Sequence, residues 1–179
     1  MKNICIRGAL AAFFVLAFAS FSTTTKAWDD DIFISAQMRG LGEVPPTNSQ
    51  GRALLRAKIS ADNSTITFTL TWSGITGPPL FSHIHFGPSK ENGGVMVFFC
   101  GGGGKPDCTQ ATSGTAKGMI TANDITGPAA QGIDPAPDGQ FSDVIRAILT
   151  NNAYANLHTA KFPGGEVRGQ IIVHGDEDE

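Results

Sequence analysis

Short stretches of alternating apolar and polar residues run along most of this chain, and residues 65–72 show the pattern best. There Ile66, Phe68, Leu70 and Trp72 point one way while four threonines point the other, the period-two signature of a strand with one buried face. Residues 53–59 alternate in the same manner, with Ala53, Leu55, Ala57 and Ile59 set against Arg56 and Lys58. Asp62-Asn63-Ser64 supplies turn chemistry between the two runs, so they are expected to form an antiparallel hairpin. Further strands are expected at 33–38, 81–86, 95–99, 114–120, 154–159 and 167–173. One stretch breaks the period: Phe141, Val144, Ile145, Ile148 and Leu149 recur at helical spacing and predict a short helix over 141–149. Eight short strands and one helix fit an all-β antiparallel domain, and two packed sheets are the expected arrangement.

Composition supports that reading. The chain holds 22 glycines and 10 prolines in 179 residues, clustered between the alternating runs as turn punctuation. Residues 127–140, rich in Gly, Pro and Asp, read as a loop, and no internal repeat is evident.

The N-terminus changes the compartment. Lys2 and Arg7 precede an apolar run from Ala9 to Phe18, and Thr25-Lys26-Ala27 offers small residues at a cleavage site. This is the layout of a secretory signal peptide over 1–27, and the run is about half the length needed to span a bilayer. The mature domain is then 28–175 with an acidic tail at 176–179, and no membrane span is expected after cleavage. The signal removes three basic residues, leaving ten against sixteen acidic ones, a balance of −6. Nucleic acid is not an expected partner for such a chain. Cys100 and Cys108 are the two cysteines left after processing, and in an oxidising compartment they are expected to form a disulfide across the glycine run 101–104.

Hydrolase, phosphate-loop and calcium-hand signatures are absent, so no catalytic residue is assigned. What remains is His83-Ile84-His85 in one expected strand and His158 in another. Two residues apart on a strand, His83 and His85 share a face about 6.5 Å apart. With His158 they make a candidate mononuclear site for copper or zinc, since neutral imidazole is a common ligand for both. The alternative is that all three cap strands and hydrogen-bond to the backbone. His174 beside the acidic tail reads as solvated. Glu166 and Arg168 share a strand face and are expected to pair with each other or with a neighbouring strand, and Glu43 is placed to receive Arg168 in a bidentate pair.

Three blocks in order carry a family resemblance: Leu41-Gly42-Glu43-Val44-Pro45-Pro46, His83-Ile84-His85-Phe86-Gly87, and Tyr154-Ala155-Asn156-Leu157-His158-Thr159 followed by Phe162-Pro163-Gly164-Gly165-Glu166-Val167-Arg168-Gly169-Gln170. Together they resemble a chordin-type (CHRD) domain over about residues 31–173. The resemblance implies an extracytoplasmic β-sandwich, immunoglobulin-like or superoxide-dismutase-like, with no established general activity and no named ligand. The signal peptide, the single domain and the missing catalytic motifs make a non-enzymatic binding or scaffold module for an unidentified ligand or protein the expected role. The His-x-His strand is also similar to the copper-ligating pair of copper/zinc superoxide dismutases. The histidines here are too few for both of that enzyme's metals, so dismutase activity is not carried over.

Overall fold

The computed structural model describes residues 30–175; the expected signal segment and acidic tail lie outside them. In chain order the elements are β1 (Ile32–Arg39), β2 (Arg52–Ile59), β3 (Ile66–Ser73), β4 (Pro79–Phe86), β5 (Gly94–Cys100), β6 (Gly114–Ile120), α1 (Phe141–Leu149), β7 (Ala153–Thr159), β8 (Val167–Gln170) and β9 (Ile172–His174). All eight expected strands and the helix form. The expected strand at 167–173 is divided in two, because Ile171 turns into the core and its N–H donates to Ala153 O.

The hairpin read from 53–72 is β2–β3, in register from Arg52 opposite Ser73 to Ile59 opposite Ile66. Its turn is held by Asp62, whose Oδ1 accepts Ser60 Oγ at 2.6 Å and Ser64 N at 3.1 Å. Leu55, Ile59, Ile66, Phe68, Leu70 and Trp72 all enter the core, as the alternation requires. The apolar side of α1, from Phe141 to Ile148, joins that same core.

The strands make one antiparallel sheet in the order β5-β4-β7-β8-β1-β2-β3-β6, with β9 also on β1. The two packed sheets expected from the alternation are instead a single continuous ladder. The reason is the kinked segment 167–174: β8 pairs with β7 through Val167–Gln170, Arg168 also stands opposite Arg39, and β9 runs on along β1 from Ser35 to Phe33. A strand that changes partners at a bend joins what would otherwise be two layers. The end strands β5 and β6 approach one another without a ladder, so the sheet is nearly closed like a barrel.

The segment joining those ends carries the Cys100–Cys108 disulfide, as expected. The loop after β6 lies along β5, where Thr126 N–H donates to Met96 O at 2.8 Å and Gly94 N–H donates to Gln131 Oε1 at 2.7 Å. Among the described residues no helix is long and apolar enough to cross a membrane.

Candidate metal centre and cleft

On β4 and β7 the even and odd positions do different work. Ile84 with Ala155 and Leu157 faces the core, while Phe81, His83 and His85 stand directly opposite His158, Asn156 and Tyr154 on the other face. That second face is neither core nor open surface. Loops roof it, so His83, His85, Asn156 and His158 are all buried.

The roof is pinned by the site residues themselves. His85 Nδ1–H donates to Gly93 O at 2.8 Å, and Gly93 N–H donates to the Tyr154 hydroxyl at 3.1 Å. Arg168 donates from Nη1 to Glu91 O at 3.1 Å and from Nη2 to Asn92 Oδ1 at 2.9 Å. His158 Nδ1–H donates to Pro163 O at 2.9 Å, which holds the second roof loop. Beneath lies a cleft of about 460 Å³ to which Glu43, His85, Tyr154, Asn156, His158 and Arg168 all contribute.

The three histidines converge as the sequence reading expected: one ring nitrogen from each lies within 4.8 Å of the others. Their rings pack at 4.5 Å between His83 and His85 and 4.7 Å between His83 and His158, with Phe81 and Phe98 against them. Burial and the neighbouring imidazoles push His83 down to about 2, and burial brings His158 down to about 4 despite the Pro163 bond. His85 is lowered as well, burial outweighing its bond to Gly93. All three are therefore neutral at pH 7, the form that ligates metal.

The proton positions follow from the hydrogen bonds. His85 and His158 each commit Nδ1–H to a backbone carbonyl, so Nε2 of each carries a bare lone pair. His158 Nε2 and His83 Nδ1 are buried without a partner. Asn156 Oδ1 lies 3.2 Å from His85 Nε2, so an oxygen faces a lone pair, and Asn156 Nδ2 is buried without a partner too. Asn156 and Tyr154 were not singled out from sequence, although their alternation with His158 places them on the same strand face.

Glu43 and Arg168 do meet, but not in the expected bidentate pair: one bond forms, Arg168 Nε to Glu43 Oε2 at 2.8 Å, because the other guanidinium nitrogens hold the roof loop. Burial raises Glu43 to about 7 against the attraction of Arg168, and its Oε1 has no partner. Gly165, at φ +127, lies where any Cβ would strike that carboxylate. The guanidinium stacks on Tyr154 at 4.3 Å, and Tyr154 stacks on His85 at 4.6 Å.

Glu166 does not pair with Arg168. Its Oε1 accepts Ser49 Oγ at 2.6 Å and Thr76 N at 2.8 Å, and its Oε2 accepts Thr76 Oγ1 at 2.9 Å and Thr159 Oγ1 at 2.6 Å. Burial alone would raise its pKa, but those donors hold it below the usual carboxylate value. His174 is half-buried and bonds Ser35 Oγ through Nε2 at 2.8 Å, so it is not simply solvated.

A nearly closed antiparallel sheet whose motif residues meet in one roofed cleft defines a β-module built around a polar site. The family comparison agrees: the CHRD domain model matches residues 34–171, and the chain belongs to the CHRD-domain family. Comparison with curated proteins and with solved structures finds no significant match.

Proposed function

We propose that this protein is a non-enzymatic extracytoplasmic binding module that holds one copper or zinc ion on His85 and His158, which line its cleft, and on the buried His83 packed against them, with Asn156 Oδ1 as the fourth donor. The observation that carries this reading is the set of three buried, neutral imidazoles that each bring one ring nitrogen within 4.8 Å of the others, two of them, His83 and His158, with a ring nitrogen lacking any partner. A buried polar atom left without a partner costs about 1–3 kcal/mol, and a cation would satisfy several at once. The backbone carbonyls of Gly93 and Pro163 serve as the outer shell that fixes which nitrogen is free. Without metal the Asn156 amide, turned end for end, donates Nδ2–H to His85 Nε2; with Oδ1 at 3.2 Å from that nitrogen the two atoms are spaced as two ligands of one cation. Copper stands above zinc in affinity for nitrogen ligands and is the stronger candidate. The disulfide and the family membership accord with an oxidising compartment outside the cytoplasm.

The test is metal titration and elemental analysis of protein purified without a histidine tag. Wild type is expected to retain one equivalent through dialysis. His85→Ala and His158→Ala should each lose retention, and Asn156→Ala should weaken it roughly tenfold, the loss of one outer contact or ligand. Retention unchanged in both histidine variants would overturn the site. Turnover of a substrate, abolished by replacing one cleft residue, would overturn the non-enzymatic reading.

A further inference from the structure

The outward face of β1, β2, β3 and β6 carries a second, unrelated feature. Along these strands the odd-numbered positions of β1, β3 and β6 and the even-numbered positions of β2 point away from the core. Five of those positions are basic, Arg39, Arg52, Arg56, Lys58 and Lys117, and none is Asp or Glu. The chain as a whole has sixteen acidic residues against thirteen basic ones, so this face runs against the overall balance.

The arrangement is unfavourable for folding alone. Arg39 stands directly opposite Arg52 in the β1–β2 ladder, and like charges so placed repel. Arg56 lies between Ser35 and Thr69, and Arg52 also faces Ser73, so hydroxyls flank the guanidiniums and no carboxylate does. Lys58 has an acid, Asp31, at 2.7 Å; among the described residues Arg39, Arg52, Arg56 and Lys117 make no ion pair. Arg39, Arg52 and Arg56 line a trough of about 640 Å³ whose lining also includes Leu54 and Phe33, the latter 55% exposed.

We infer that this trough binds an anionic polysaccharide. Arg52 and Arg56 are four residues apart on one strand, about 13 Å, so a single small anion could not engage both ends and a chain with repeated charges could. Guanidinium forks match sulfate and carboxylate groups. Phe33 and Leu54 offer apolar surface for the faces of sugar rings, and the serine and threonine hydroxyls suit sugar hydroxyls. A single-stranded polynucleotide has the charge but calls for a row of stacking platforms, and apart from the core-facing Trp72 the trough offers only the Phe33 ring and the half-buried His174 imidazole. The site is separate from the histidine cleft and does not depend on metal.

The test titrates the mature protein with dextran sulfate and with polygalacturonate, with neutral dextran and single-stranded DNA as controls, at low and at high salt. Binding to at least one of the two anionic polysaccharides, weakening as salt rises and absent for neutral dextran, is expected; the stronger of the two names the charged group. Arg52→Ser with Arg56→Ser should weaken it roughly tenfold or more, the loss of at least one charge-assisted contact. The single change Arg52→Ser should leave the urea midpoint unchanged or raise it, because it relieves the repulsion with Arg39. Absence of binding, equal binding by the double variant, or tighter binding to DNA than to either polysaccharide would overturn the inference. So would a lowered midpoint in Arg52→Ser, which would make that arginine a structural residue.

Discussion

Replacing Glu166 separates a shape role from a charge role. Its side chain is fully buried, and its two oxygens accept four hydrogen bonds from three distant segments: Ser49 after β1, Thr76 after β3 and Thr159 at the end of β7. Three of the four donors are hydroxyls, which can rotate and accept instead; the fourth, the Thr76 backbone N–H at Oε1, cannot. In Glu166→Gln the amide oxygen can take the Oε1 position and keep Thr76 N–H, while the NH₂ takes the Oε2 position and donates to the hydroxyls of Thr76 and Thr159. The loss is then the difference between charge-assisted and neutral bonds, about 1–1.5 kcal/mol. Glu166→Ala leaves the Thr159 hydroxyl buried without that partner, strands the Thr76 amide and opens a void, a loss of about 3–5 kcal/mol. With a urea slope of about 2 kcal/mol per molar, the midpoint should fall by about 0.5–0.8 M for Gln and by about 2 M for Ala. Urea unfolding followed by tryptophan fluorescence measures both. Equal losses for Gln and Ala would show that the negative charge itself, and not the pattern of donors, holds the three segments together.

Two further outcomes follow from buried side chains. Metal-free protein should lose stability on acidification: His83 and His158, held at about 2 and about 4, refuse protons that the unfolded chain takes up below about 6.5, and each loses the fold about 1.4 kcal/mol per pH unit across that range. His85 acts in the same sense, while Glu43, raised to about 7, opposes between its unfolded value and 7 by roughly one histidine's worth. The net is a fall of at least about 1.4 kcal/mol per unit from pH 6 to 5, and a flat urea midpoint over that interval would contradict the burial. Trp72→Ala should cost about 3–5 kcal/mol, since the ring is 3% exposed, lies against Gly114 and donates Nε1–H to Ala111 O at 3.0 Å; an unchanged midpoint would mean that β3 turns its other face inward.

What the sequence made legible is what short-range pattern controls. Alternation located Ile66 to Trp72 and the hairpin before it, helical spacing found Phe141 to Leu149, and two histidines at i and i+2 announced one strand face. The position of His158 against them needed the β4–β7 register, which the family blocks implied by order but local pattern does not encode. Glu166 was misassigned because its partners lie as far as 117 residues away, and side-chain hydroxyls on loops leave no periodic trace. The same holds for Arg168, whose guanidinium reaches Glu91 and Asn92 on a roof loop that alternation does not describe. The merging of two expected layers into one sheet turns on a single residue, Ile171, in a run that alternates well enough to read as one strand.

The loop lying along β5 bears on how this chain stays out of aggregates. An end strand with free N–H and C=O groups is a template on which another chain can build. Here Thr126 and Gln131 occupy such groups at Met96 and Gly94, and Lys105 of the cystine loop donates from Nζ to Met119 O on β6. A stretch that reads as a mere connector is thus a guard on the sheet's seam. Trimming it would remove few core residues yet leave β5 open to strand exchange between molecules, a hazard for any polypeptide that folds crowded among its own copies.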